Sequence, residues 1–339
     1  MTDGFAVIDA TNKFTTTSAS GFVVRIATKK DAPEVCNLFK KIFQQEMTAE
    51  HWCWKYGRPY SREIVVYRNK ELVAHYGGVG SQVLLAGEKS TAIQITDLMV
   101  DPAERNTVRS GSPFYLSAKY FLESFVGYNN PFLLAYGFPS ERAMGLSEKL
   151  SLFAPVGKMW EASWQVKATN NYLKGKIIEL DKKNFSSVEK KINSLWEKTA
   201  QTLNKYYLCK KDADYFSWRY LNHPTKHYSL YLVENTITRK PKALIVLKQE
   251  NGKCMLMDIV ANLLDTELVI GRAINLCAEQ QCPELSTWHS DIFAELFSVY
   301  DSQQKELPII IPANTCSKGP EPYTQINKWW FMPGDTDYL

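Results

Sequence analysis

The sequence predicts an α+β protein of two tandem domains, each a mixed, mostly antiparallel twisted sheet flanked by helices. Three observations lead to this fold class. In the first half, strand-like and helix-like segments alternate in the order β-α-β-β-β-α-β-α-β, which indicates a mixed sheet with helices on it. Two short motifs recur in the same order about 160 residues further on. The chain of 339 residues is also long for one core and suits two domains of roughly 150–170 residues.

The elements of the first half follow from local patterns. Residues 22–28, "FVVRIAT", are rich in β-branched residues and predict the first strand. Residues 29–43 carry apolar side chains at helical spacing, and Asp31-Ala32-Pro33 marks the start of a helix. Residues 63–100 form consecutive strands with turns at Asn69-Lys70 and at Ala86-Gly87-Glu88. The next segments are predicted as a helix, a buried strand, a helix and a strand, at 114–127, 131–139, 140–153 and 154–166.

The second half repeats two motifs of the first. "WKYGRP" (54–59) is echoed by "WRYLNHP" (218–224), and "TDLMVD" (96–101) by "MDIVAN" (257–262). We interpret these matches as the duplication of one domain type, against the alternative of chance similarity between strand-rich segments. The predicted organisation is a flexible leader over 1–20, one domain over 21–168 and a second domain over 169–339.

Composition narrows the class of partner. A net charge of +4 suits an anionic small ligand and is too weak to indicate nucleic acid. Seven cysteines without CxxC spacing indicate reduced thiols in the cytoplasm, and His223 and His227 form no regular helical metal pair because Pro224 lies between them. No apolar run is long enough to cross a membrane, and the N-terminus lacks a secretory signal. We therefore expect a cytoplasmic protein that binds no metal, nucleic acid or membrane.

Three stretches of the first half resemble the GNAT N-acetyltransferase superfamily. They are "VVRIATKKDAPEVCNLFKKIF", "TDLMVDPAERNTVRSGSP" and "LLAYGFPSERAMGLSEKLSLF". The resemblance covers residues 22–160 well and 205–339 weakly, and the whole chain is similar to tandem-domain members. It implies an acyl-CoA donor, most simply acetyl-CoA, whose thioester is attacked directly by an amine. In this comparison the second half has lost cofactor binding and helps to build the acceptor site.

The second stretch is similar to the family's pyrophosphate loop, in which backbone N–H groups at a helix start bind phosphate. The family pattern is Gln or Arg, two free positions, Gly, one free position, then Gly or Ala. Arg105 stands at the usual place, but Val108 occupies the glycine position. Alternatively Arg109, Ser110, Gly111 and Ser112 form a loop four residues longer, with Pro113 in the first helical turn. The opposing interpretation is a polar loop without a ligand.

The resemblance also implies catalytic positions. Backbone N–H groups of Leu98, Met99 or Val100 would polarise the thioester carbonyl. Asp97 would act as general base or bind the substrate amine, unless it faces solvent or pairs with an arginine. Alignment of the following helix places Ser140 at the family's Asn and Ser147 at the Tyr that protonates the leaving thiolate. Serine is a poor acid, so solvent, Tyr136 or another tyrosine would replace it.

Candidates for an aromatic acceptor pocket are Trp52, Trp54 and Tyr56, with a place in the core as the alternative. His75 and Tyr76 are further acceptor-binding candidates, again with a structural role as the alternative. The tail carboxylates Asp335 and Asp337 either lie in solvent or reach the cleft between the domains.

The sequence thus predicts an N-acyltransferase for a small-molecule amine, an amino sugar or a peptide-like amine. The alternatives are a Fem-type aminoacyltransferase and a degenerate GNAT-fold binding protein without catalysis. The sequence predicts no oligomeric state.

Overall fold

A computed structural model describes residues 15–18, 21–105 and 110–336. They divide into two compact units. The first comprises the described residues up to Gln82, with Ser90–Val156 and Ile310–Gln325. The second comprises Val83–Lys89, Gly157–Ile309 and the described residues from Ile326 onward. The predicted leader lies mostly outside the described residues, but three of its residues, Thr15–Thr17, form a strand.

Strands and helices of the first part of the chain follow the predicted order, with one further helix. They are β1 (Thr15–Thr17), β2 (Val23–Ile26), α1 (Ala32–Phe43), α2 (Ala49–Tyr56), β3 (Ser61–Arg68), β4 (Glu71–Leu85), β5 (Glu88–Val100), α3 (Pro113–Phe125), β6 (Leu134–Tyr136), α4 (Glu141–Lys149) and β7 (Phe153–Gln165). Helix α2 was not assigned from the sequence, because its apolar and polar residues show little separation of faces. The predicted turns at Asn69-Lys70 and Ala86-Gly87 both have two positive φ angles, which is the conformation of tight hairpin turns.

The remaining elements belong to the second part of the chain. They are β8 (Lys176–Leu180), α5 (Glu189–Thr202), β9 (Tyr207–Cys209), α6 (Ala213–Phe216), β10 (Ser229–Glu234), β11 (Pro241–Glu250), β12 (Lys253–Ala261), α7 (Thr266–Glu279), β13 (Glu284–Ser290), α8 (Ala294–Phe297), β14 (Gln303–Asn314) and β15 (Trp329–Trp330). Short 3₁₀ turns and one π-helical turn, Ser217–Leu221, connect several of them.

Two mixed sheets confirm the predicted fold class. In one, the strands are ordered β1-β2-β3-β4-β5-β6. Strand β9 pairs with Val83–Leu85 at the end of β4, and β15 pairs with β9. In the other, the order is β14-β7-β13-β12-β11-β10-β8. Most strand pairs are antiparallel, whereas β5 and β6 run parallel, as do β12 and β13.

The core of the first unit lies between its sheet and α3. Ile64, Tyr76 and Ile93 alternate inward on β3, β4 and β5 and belong to one buried apolar cluster with Phe121 and Phe125 of α3. The Tyr76 and Phe121 rings lie 5.0 Å apart between centroids. Gly78 is required here, because a Cβ at this position would lie 2.6 Å from Phe121 and 2.8 Å from Ile93. The opposite face of the same strands is polar and carries the candidate site.

Candidate active site

Asp97 has a backbone conformation that is unusual for a strand residue. Its φ is +46° within β5, in the left-handed region that most side chains avoid. Aspartate tolerates this region better than most residues, yet it still costs about 1 kcal/mol or more unless the surroundings compensate. Strained backbone of this kind is concentrated at functional sites, so the conformation of Asp97 indicates a functional site on β5.

Helix α2 supplies two partners for the Asp97 carboxylate. Lys55 Nζ lies 2.8 Å from Oδ2, and the Tyr56 hydroxyl donates to the same oxygen at 2.6 Å. The Lys55 and Asp97 side chains are only 9% and 7% exposed, so the ion pair is shielded from water. Burial alone would raise the pKa of the Asp97 carboxyl, but Lys55 and Tyr56 hold it below its ordinary value. The Asp97 side chain is therefore shielded from solvent, and within the part of the chain that the structure describes its charged partner is a lysine and not an arginine.

Tyr56 is held on three sides. Besides Asp97, its hydroxyl lies 2.9 Å from Thr96 Oγ1. A Cβ on Gly77 would lie 2.3 Å from the Tyr56 hydroxyl, so only glycine leaves room for it. Burial and the Asp97 charge raise the pKa of the Tyr56 phenol well above its ordinary value. The phenol is thus a neutral hydrogen-bond donor fixed against Asp97.

A second polar chain reaches Asp97 through its main chain. His75 Nδ1 contacts the Asp97 carbonyl oxygen at 2.8 Å, and Nε2 contacts Glu63 Oε1 at 2.9 Å. Trp52 Nε1 donates to the same Glu63 oxygen at 3.1 Å. Through His75, these contacts join the main chain of Asp97 at its left-handed turn to Glu63 on β3.

Beyond Asp97, β5 leads to the start of α3. Strand β5 pairs with β6 from Ala92, opposite Leu134, to Gln94, opposite Tyr136. Strand β5 itself continues to Val100. Helix α3 then begins at Pro113, with Ser112 as N-cap accepting from the Tyr115 N–H at 3.3 Å. A strand edge that continues beyond its neighbour can bind an extended amide-bearing ligand, and a helix N-terminus favours phosphate.

The other predicted cofactor residues lie along this path. Leu98, Met99 and Val100 follow Asp97 on β5, and Met99 is fully buried. Arg105 Nε donates to the Val100 carbonyl at 2.9 Å. Ser110, Gly111 and Ser112 lead directly into α3, whereas Arg109 lies outside the described residues.

Ser140 and Ser147 serve their own helix. Ser140 caps α4 by accepting from the Ala143 N–H at 3.3 Å. The Ser147 hydroxyl donates to the Ala143 carbonyl at 3.1 Å, one turn earlier. At the position where the family has a proton-donating tyrosine, the hydroxyl is therefore already engaged by the helix backbone.

The predicted catalytic and acceptor residues do not all converge. His75 reaches Asp97, but Tyr76 is buried against Phe121 on the other face of the sheet. Tyr136 is 2% exposed and packs edge-on against Phe138 at 6.2 Å between centroids. Trp54 is half-buried on α2, with its ring 5.6 Å from that of His51.

Sequence analysis missed Lys55 and Glu63, and it gave Trp52 and Tyr56 only a candidate role in an aromatic acceptor pocket. The signal available for two of them was the repeated "WKYGRP" motif, which contains Lys55 and Tyr56.

The second unit contains the counterpart of this cluster. β11 and β12 pair Val246 with Asp258 and Leu247 with Leu256, so Met257 has no partner residue and forms a bulge beside Asp258. Tyr220, from the repeated motif, donates to Asp258 as Tyr56 does to Asp97. The cation is Lys211, which binds both Asp258 and Asp335, the latter at 2.8 Å. In each unit, therefore, a tyrosine from one repeated motif donates to an aspartate from the other.

The C-terminal segment completes this second cluster. A Cβ on Gly334 would lie 2.0 Å from the Tyr220 hydroxyl, and Arg219 Nε donates to the Gly334 carbonyl at 3.0 Å. Asp335 is 5% exposed, and burial raises the pKa of its carboxyl to about 6 despite the neighbouring Lys211. The prediction that this carboxylate lies in solvent is wrong. It is buried within the second unit, and Asp337 lies outside the described residues.

Comparison with known proteins agrees with this geometry. Residues 23–112 match the family described as acetyltransferase (GNAT) domain. This match spans β2 to the start of α3, and therefore includes α2, Asp97 and the loop before α3.

Solved structures show the same fold over most of the chain. A probable N-acyltransferase from Enterococcus faecalis has a TM-score of 0.68 at 12% identity, covering 91% of this chain and 74% of its own. A GCN5-related N-acetyltransferase from Anabaena variabilis has a TM-score of 0.64 at 12% identity, with coverages of 86% and 73%. Saccharomyces cerevisiae N-myristoyltransferase with bound myristoyl-CoA has a TM-score of 0.55 at 11% identity, with coverages of 90% and 83%. No curated protein sequence matches. The two sheets with flanking helices therefore have the fold of these solved structures.

In residues 15–18, 21–105 and 110–336, no group of three His, Cys, Asp or Glu side chains could hold a metal ion. Over the same residues no helix is both long and apolar enough to span a bilayer.

Proposed function

We propose that the chain is an acyl-CoA-dependent N-acyltransferase in which a primary amine attacks the thioester directly. The observation that carries this proposal is the left-handed Asp97, with its buried Lys55 and Tyr56 partners, on the strand that leads to α3. Acetyl-CoA is the simplest donor. The reaction transfers the acyl group from sulfur to nitrogen and releases CoA as the thiol.

The donor would lie along β5. Its phosphates would bind at the start of α3, where Ser110, Gly111 and Ser112 bring small residues and backbone N–H groups together. Its extended arm would enter along the edge of β5 at Val100. The thioester would then lie beside the backbone of Leu98 to Val100, whose N–H groups we assign to the carbonyl oxygen.

Asp97 would bind the acceptor amine as its ammonium rather than remove the proton. A general base works best with a pKa near the working pH, and the pKa of Asp97 is held low by Lys55 and Tyr56. A fixed carboxylate can instead attract and orient the amine before it loses its proton to water. For the leaving thiolate we assign Tyr136, on the strand beside β5, as proton donor.

The acceptor class proposed here is a small primary amine, an amino sugar or a peptide-like amine, with Trp54 as an aromatic contact on α2. Nucleic acid, membrane and metal have no part in the proposed reaction. A cytoplasmic setting agrees with the seven cysteines, which are all free thiols.

Thermal unfolding with millimolar acetyl-CoA, free CoA and ATP tests donor binding. A ligand at about 100 times its Kd should stabilise the protein by roughly 2.7 kcal/mol. We expect a shift with acetyl-CoA and with CoA but not with ATP. No shift with either CoA compound would contradict the proposal and favour a degenerate scaffold or an aminoacyl-tRNA donor.

A further inference from the structure

Two large apolar side chains stand out into solvent at one end of the second unit's sheet. Ile237 and Leu264 are each 89% exposed, the highest exposure of any large apolar side chain among the described residues. Ile237 lies in the turn between β10 and β11, and Leu264 in the turn after β12. Strand β11 pairs with β10 up to Pro241 and with β12 from Ala243, so the two turns are neighbours. Single exposed aliphatic residues are ordinary, whereas two on adjacent turns indicate a contact surface.

The same local arrangement fixes both turns. Asn235 Oδ1 accepts from the Ile237 N–H at 3.0 Å, and Asn262 Oδ1 accepts from the Leu264 N–H at 3.0 Å. An asparagine that binds the backbone two residues later stabilises a tight turn. Both apolar side chains are therefore carried by turns of defined shape.

A cavity with basic residues in its wall lies beside these turns. It is open to solvent and has a volume of about 460 Å³. Its wall includes Lys242, which follows the first turn, and Asn262 and Asp265, which lie on either side of Leu264. Helix α5 contributes Lys198. Two lysine side chains in one cavity suit a phosphate group.

The segments around the cavity add further positive charge. Arg239 and Lys240 are exposed in the first turn, just before β11. Lys242 Nζ donates to the Lys174 carbonyl at 3.0 Å, which places exposed Lys174 nearby. With Lys198, five basic residues therefore lie on these segments, whereas Asp265 is the only acid among the residues that line the cavity.

We propose that this end of the second unit docks on a membrane surface rich in anionic phospholipid. Ile237 and Leu264 insert between the headgroups, and a lipid phosphate occupies the cavity beside Lys198 and Lys242. Two separate apolar side chains are too small for a stable protein interface, which buries about 800 Å² on each partner. A bilayer accepts single aliphatic side chains and presents a dense negative surface to lysines.

The contact is peripheral and takes no part in the proposed reaction. It needs no long apolar run, which is why the sequence did not predict it.

Co-sedimentation with lipid vesicles tests the proposal without any substrate. Wild type should bind phosphatidylcholine vesicles that contain about 30 mol% phosphatidylglycerol roughly tenfold or more tightly than pure phosphatidylcholine, and salt should weaken that binding. The double change Ile237→Ser with Leu264→Ser should weaken binding to the anionic vesicles by about tenfold or more. Lys198→Gln with Lys242→Gln should weaken it by a similar factor and reduce its salt dependence.

Two matched controls change exposed residues elsewhere. Tyr323→Ser removes an aromatic side chain of the first unit that is 72% exposed. Lys253→Gln removes a lysine, 67% exposed, at the opposite end of β12. Neither control should alter vesicle binding. All four variants should keep a Tm close to that of wild type, because the changed side chains lie at the surface.

Equal binding to neutral and anionic vesicles, or no binding to either, would overturn this inference. Binding that persists after the changes at Ile237 and Leu264 would overturn it too. A rise in Tm with millimolar inorganic phosphate, without vesicle binding, would assign the cavity to a soluble phosphate compound instead. The assay contains no CoA compound, so each of these results leaves the proposed function to its own test.

Discussion

Replacement of Lys55 by methionine should destabilise the first unit strongly. Methionine keeps the length of the apolar stem and removes the ammonium, so the Asp97 carboxylate would remain buried with the Tyr56 hydroxyl as donor and without its cation. Removal of one partner from a buried ion pair typically costs about 3–5 kcal/mol. We therefore expect Lys55→Met to lower the free energy of unfolding by that amount in urea titrations at neutral pH.

The pH dependence gives the sign of the same interaction. Because folding lowers the pKa of Asp97, its ion pair contributes stability above the unfolded carboxyl pKa of about 3.9. That contribution is lost as pH falls through the lower pKa of the folded state. The difference between wild type and Lys55→Met should therefore narrow in acid.

Two controls make the experiment decisive. Lys40→Met removes a lysine from an ion pair whose side chains are 63% and 74% exposed, and it should have no measurable effect. The double variant Lys55→Met with Asp97→Asn should be more stable than Lys55→Met alone, since no unpaired charge is buried. A loss below about 1 kcal/mol for Lys55→Met, or no recovery in the double variant, would refute the buried ion pair.

Three further changes test other parts of the structure. Gly334→Ala should lower the free energy of unfolding by about 1–3 kcal/mol or more, because the new Cβ would lie 2.0 Å from the Tyr220 hydroxyl. The control Gly145→Ala, whose Cβ would have no neighbour within 4 Å, should raise it by roughly 0.5–1 kcal/mol. Urea titration measures both changes, and equal effects would contradict the packing around Gly334. Wild type should lose roughly 2–3 kcal/mol of stability as pH rises from 4 to 7, because the pKa of the Asp335 carboxyl is raised to about 6 in the folded state. Asp335→Asn lacks this carboxyl and should therefore gain that amount relative to wild type over the same range. Parallel pH profiles of Tm for the two proteins would contradict this. Ser147→Ala should leave the rate of CoA release within about twofold of wild type, since the Ser147 hydroxyl donates to the carbonyl of Ala143 in its own helix. A large loss of rate would restore a catalytic role for this serine.

Sequence patterns predicted the elements of the first unit because those patterns are local. The helix over 29–43, the turn at Asn69-Lys70 and the strand through Val100 each depend on residues close in sequence. Helix α2 escaped because its apolar residues are spread around it, and tertiary packing rather than periodicity stabilises it.

The cluster at Asp97 was only half predictable. The sequence marked Asp97 as an acid in an apolar strand, and the repeated motif separately marked the segment with Tyr56. Their contact joins residues 41 apart, and neither spacing nor composition specifies such a long-range pair. The left-handed φ of Asp97 was also not predictable, because aspartate there competes with an ordinary strand conformation.

The second unit shows the same limit. The match of "MDIVAN" to "TDLMVD" predicted Asp258 as the counterpart of Asp97, and both have a tyrosine from the repeated motif as donor. The cation changes its source, from the motif lysine Lys55 to Lys211 on a different segment. The sequence favours solvent for Asp335 because chain ends usually lie there. In the structure Lys211 binds the Asp335 carboxylate and Arg219 donates to the Gly334 carbonyl, so this end of the chain is held in place.

Release of CoA thiol from acetyl-CoA, measured against a panel of amino sugars and peptide-like amines, tests the central claim most directly. The account predicts turnover by wild type with at least one amine. It also predicts that Asp97→Asn lowers kcat/KM by about 100-fold or more while acetyl-CoA still raises the Tm, because the carboxylate binds the amine and not the donor. Acetyl-CoA binding without turnover on any amine, or full activity of Asp97→Asn, would contradict it.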